Sequence, residues 1–62
     1  MTNERKNELY AALVKEAEAH TAKGQTLTRW GALGVLDGWG VGLNRDSVDL
    51  VEKLYADGFV KE

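Results

Sequence analysis

Trp30-Gly31-Ala32-Leu33-Gly34-Val35-Leu36-Asp37-Gly38-Trp39-Gly40-Val41-Gly42-Leu43 holds five of the chain's seven glycines and both of its tryptophans. A glycine inside a helix or strand costs roughly 0.5–1 kcal/mol relative to alanine, so five together mark tight turns, close backbone approach or space kept for a large neighbour. One reading is a short helix within 27–43, capped by Thr26 or Thr28. Trp30, Leu33 and Leu36 then face one way until Gly38 ends the helix, and Trp39 to Leu43 runs extended. The rival reading is a short β-hairpin at 33–42, because Asp37-Gly38 is the dipeptide a type I′ turn prefers and apolar segments flank it. Pairing Leu36 with Trp39 would then gather Leu36, Gly34, Trp39 and Val41 on one face.

The flanks are plainer. Upstream, Leu9, Ala12, Leu13, Ala17 and His20 recur at three- and four-residue spacing, and Tyr10 and Val14 widen the stripe. The spacing predicts an amphipathic helix over 3–23, capped by Thr2 or Asn3 and stopped by Lys23-Gly24. At ~30 Å it would span one side of the fold or pair with a copy of itself. Downstream, a helix over 45–57 is capped by Asn44 or Asp46. Its buried stripe reads Val48, Val51 and Tyr55 with Leu50 and Leu54 beside them. Asp57-Gly58 ends it, and Phe59 is placed to fold back onto Leu54 or Tyr55. Its outer face sets Asp46, Asp49, Glu52 and Asp57 against Arg45 and Lys53, and is acidic. The expected fold is a single small all-α domain over 1–62: three helices, helix-turn-helix-like, with a glycine-rich middle segment.

Composition narrows the function classes. A chain of 62 residues buries only about 60% of the surface its unfolded form exposes. It has no cysteine, so packing and self-association are left to add stability. A 44% hydrophobic and 29% charged composition with net charge −2 is that of a folded domain, without the basic excess usual in nucleic-acid binders. The N-terminus is polar and mixed in charge, unlike a secretory signal, and the longest apolar-plus-glycine run, Trp30 to Leu36, is far short of the ~20 residues of a membrane span. The expectation is a cytoplasmic protein with no membrane partner.

No constellation of catalytic residues emerges. Glu16 and His20, four apart, are too few to hold a metal, and the only serine, Ser47, has no base tied to it. Gly38-Trp39-Gly40-Val41-Gly42 lacks the lysine and hydroxyl residue a phosphate loop adds. The chain is therefore expected not to be an enzyme and to carry no metal, cofactor or small-molecule substrate. Trp30 and Trp39 are expected in the core, with the glycines as the space they occupy; an exposed indole would instead be a binding anchor. The first functional reading is a non-catalytic interaction module. It would bind a protein partner or itself through an apolar surface including Trp39, Val41, Phe59 or the flank of the first helix.

Residues 42–60 supply the alternative. Gly42-Leu43-Asn44 is similar to the turn, Ser47-Val48 to the Ser/Thr-Val pair, and Leu54 to Val60 to the helix exit in the recognition-helix segment of winged helix-turn-helix regulators. That resemblance implies DNA binding, with Asn44, Arg45 and Ser47 toward base edges and Arg29 or Lys53 on phosphates.

Overall fold

Three helices form, and all three begin and end by the same two devices. The computed structural model describes residues 1–62: α1 (Asn3–Ala22), α2 (Arg29–Gly38) and α3 (Arg45–Ala56), with no sheet. At each start a side-chain oxygen accepts an otherwise orphaned backbone N–H: Thr2 from Arg5 at 3.1 Å, Thr28 from Gly31 at 3.0 Å, Asn44 from Ser47 at 3.0 Å. Such caps contribute ~1 kcal/mol each. At each end the chain turns back through a glycine and a six-to-one hydrogen bond closes the last turn. Gln25 N–H donates to His20 (2.8 Å), Val41 N–H to Leu36 (3.1 Å) and Phe59 N–H to Leu54 (2.9 Å).

That end signal resolves the glycine-rich segment. Gly40, at φ +82°, is the left-handed residue that terminates α2; Asp37 and Gly38 lie inside the helix. The hairpin at 33–42 therefore does not form, and α2 is shorter than the 27–43 segment. Val41 N–H, satisfied by the Leu36 carbonyl, closes the helix end. A lone hairpin is marginal in water, whereas the helix places Ala32 and Leu36, four residues apart, fully inside the core.

α3 packs against both α1 and α2, and α1 sets the long dimension of the 33 × 18 × 17 Å molecule. The core holds Leu9, Leu13 and Ala17 of α1, Leu27, Ala32 and Leu36 in and before α2, Leu50, Val51 and Leu54 of α3, and Val60 of the tail. No aromatic side chain is among them, which corrects the expectation for both tryptophans. Trp30 is 81% exposed and Trp39 40%. The row Trp30, Leu33, Leu36 drifts by about 60° at each three-residue step, so burying Leu36 leaves Leu33 half-buried and turns Trp30 outward.

The stripe on α3 also differs from the expected one. Val48 and Tyr55 are exposed, and Ser47 is fully buried. Ser47 occupies the inner position because its hydroxyl donates to the Gly42 carbonyl at 2.7 Å, pinning the α2–α3 turn. Phe59 folds back after Gly58, its N–H donating to the Leu54 carbonyl at 2.9 Å, and its ring makes a T-shaped pair with Tyr10 of α1, centroids 6.1 Å apart. Beyond it, the tail pairs with the start of α2 through a parallel bridge. Lys61 N–H donates to Leu27 (3.0 Å) and Arg29 N–H to Lys61 (2.7 Å).

Candidate functional site

An apolar face crosses the α2–α3 seam. The Thr28 cap starts α2 so that Trp30 falls in its first turn, on the solvent side. Leu33, one turn on, lies half-buried beside it. From α3, Val48 rises 45% exposed, and Val51 forms a buried floor. Together with Arg29 and Glu52 these residues line a shallow hollow of about 280 Å³.

Arg29 closes one end of that hollow. Its guanidinium donates to Glu52 at 2.9 Å and to Glu62 at 3.0 Å, and it lies 4.6 Å from the centre of the Tyr55 ring. Two hydrogen bonds to separate carboxylates plus stacking on a ring use the planar fork that arginine has and lysine lacks. The cation is thereby matched by two carboxylates, and the rim carries no net positive charge.

Two other hollows are chemically different. The one along α1 and α3, about 390 Å³, is lined mostly by polar residues of both signs, including Lys6, Asp46, Asp49 and Lys53. Asp46 is paired there: the N-terminal ammonium, 3.4 Å away, and Lys6, at 3.6 Å, hold its carboxyl below the usual carboxylate range. The third lies beside Phe59 and is walled by Ala17, Ala22 and Gly58 of the helix ends.

The residues proposed from sequence as partner contacts do not share one surface. Trp39 caps the end of α2, and Val41 packs half-buried against the core at that end. Phe59 lies past the far end of α3, a helix ~18 Å long. The residues proposed for DNA are largely occupied. Ser47 is buried, which removes it as a base reader. Asn44 is the α3 cap, its amide also donating to Val41 at 3.3 Å. Arg29 is held by two acids, and the Lys53 ammonium lies 5.2 Å over the Tyr10 ring. Arg45 is exposed with neither an ion-pair nor an aromatic partner. His20 turns Nδ1 to the Glu16 backbone carbonyl at 2.8 Å, and no three His, Cys, Asp or Glu side chains gather to hold a metal ion. No helix is long and apolar enough to cross a membrane.

Trp30 and Val48 are site residues that the sequence places in the core and the structure turns outward. The signal that locates Trp30 is the helical wheel: Ala32 and Leu36 fix the core direction, and Trp30 lies about 140° from it. Comparison with known protein families, characterised proteins and solved structures finds no match to this chain.

Proposed function

We propose that this protein is a non-catalytic interaction module that binds a protein partner, or itself, through the Trp30–Leu33–Val48 face of α2 and α3. The exposure of Trp30 carries the reading. Leaving roughly 150–200 Å² of mostly apolar indole in water forgoes on the order of 4 kcal/mol of burial. Tryptophan is also the residue most enriched at the centres of interfaces. The surroundings fit that role: apolar side chains flank the indole, and a neutralised arginine–carboxylate pair forms a polar rim. The absence of cysteine is compatible with a reducing compartment such as the cytoplasm.

The test is paired affinity capture with wild-type protein and the Trp30→Ala and Val48→Asp variants, each checked for helical circular dichroism. A partner identified by mass spectrometry, and lost from both folded variants, is the expected result. Capture that is indifferent to both substitutions would overturn the assignment to this face.

DNA binding is the second reading, supported by the exposed Arg45 in the first turn of α3 and by the resemblance of residues 42–60. It predicts retention on duplex DNA that weakens steeply with salt and is lost in Arg45→Ala; no retention at low salt would exclude it. The acids around Arg45 and the burial of Ser47 favour the protein-binding reading.

A further inference from the structure

Resting on the reading of Trp30 as a docking residue, we propose that its occupant is a second copy of this chain, met along the outer Trp30–Gly34–Gly38 ridge of α2. Two α2 helices pack antiparallel about a two-fold axis at Gly34, and each Trp30 indole lies over Gly38 of the other copy.

Shape is the first support. With the core direction set by Ala32 and Leu36, Gly34 points about 180° away and is the outermost position of α2. Trp30, Gly34 and Gly38 follow one another at four-residue spacing, so a single ridge carries a large side chain at one end and bare backbone at its middle and other end. A two-fold axis through Gly34 exchanges positions 30 and 38, and the knob of each copy meets the hollow of the other.

The glycines themselves are the second support. A Cβ placed on Gly34 or Gly38 would meet nothing within 4 Å, and neither residue has the positive φ found at Gly24, Gly40, Gly42 and Gly58. Nothing inside the chain therefore requires glycine at either position, although each weakens the helix. Close approach of another helix does require it.

Charge selects the antiparallel sense. α2 carries Asp37 near its end with no base in its last turn, and Arg29 at its start is already matched by Glu52 and Glu62, so the helix dipole is what distinguishes the two ends. Antiparallel docking brings each Asp37 toward the other copy's helix start and opposes the two helix dipoles; parallel docking would align like ends. Trp30 supplies roughly 200 Å² of the ~800 Å² per partner of a standard interface, so the expected dimer is reversible and concentration-dependent.

Sedimentation equilibrium tests this on the whole chain. The expected result is a reversible dimer that Trp30→Ala and Gly34→Leu each weaken about tenfold or more, while dilute variants keep wild-type helicity. In a Trp39→Phe background Trp30 is the only indole, and its emission should move to shorter wavelength as the protein is concentrated. Because the chain has no cysteine, Gly34→Cys should oxidise readily to a covalent dimer, as a Cα separation of about 4.4–6.8 Å at the axis allows, and Lys15→Cys on the exposed face of α1 should not. A chain that stays monomeric to about 1 mM overturns the proposal. If that monomer still captures an identified foreign protein through Trp30, self-association fails and the docking reading stands. A dimer indifferent to both Trp30→Ala and Gly34→Leu overturns the antiparallel arrangement and places self-association on another face.

Discussion

Tyr10 joins three elements through one side chain. Its hydroxyl donates to the Asp57 carboxylate at the end of α3, its ring meets the edge of Phe59 from the tail, and Lys53 lies over its face. The hydrogen bond to Asp57 raises the Tyr10 pKa, with partial burial and the negative charge of Asp57 adding to it. A folded value above the unfolded one, near 10, means the neutral phenol is the form that folding favours. Its contribution to stability is complete below pH about 10 and is lost as pH rises through the raised value. Urea midpoints of wild type and Tyr10→Phe should therefore differ by a constant amount near neutral pH and converge in alkali. A gap that persists unchanged would mean that the hydrogen bond adds nothing. Ser47 and Val48 make the other lesson at this scale. Apolarity alone assigned Val48 to the core, yet the hydroxyl of Ser47 is buried because a turn carbonyl needs a donor. Hydrogen-bond demand is set by the fold around a residue, so hydropathy could not rank the two correctly.

At the scale of elements, α2 is the informative helix. Three glycines in ten residues cost roughly 3 kcal/mol relative to alanine, and the helix persists because its ends are capped and Ala32 and Leu36 are buried. Gly34 inside the helix and Gly40 just past it have opposite expected behaviour. Gly34→Ala, measured where the chain is monomeric, should raise stability by about 0.5–1 kcal/mol, since the added Cβ meets nothing and the backbone is helical. Gly40→Ala should lower stability by roughly 1–2 kcal/mol, because φ +82° is a conformation that alanine resists. Thermal melts distinguish the two: for a 60-residue domain ~1 kcal/mol is worth ~4–8 °C. The caps Thr2, Thr28 and Asn44 are among the sequence candidates, and Gly24 and Gly58 read as stops, because capping is local; the sequence puts the stop of α2 at Gly38, and it falls at Gly40. The choice between helix and hairpin was not legible in the sequence, since Asp37-Gly38 satisfies the local rules of both.

For the whole molecule, the short tail matters beyond its length. Val60 is fully buried, and the bridge from Lys61 to Thr28 and Leu27 closes the fold over more than thirty residues. Exposed ion pairs contribute at most ~1 kcal/mol, whereas shortening a buried aliphatic side chain costs about 2 kcal/mol. Val60→Ala should accordingly shift the urea midpoint far more than Glu62→Gln, although Glu62 pairs with Arg29 at 3.0 Å. Equal effects would show that the salt bridge, and not burial, holds the tail.

Helices α1 and α3, their candidate caps and their glycine stops follow from the sequence, since helix periodicity and end signals act between near neighbours; that the middle segment is a third helix stopped at Gly40 does not. Which faces turn inward, why every aromatic ring lies outside the core, and how the tail clips onto α2 were decided only by tertiary structure. An indole about 140° from the core direction of α2 stays in solvent, and only the packing of the three helices sets that direction.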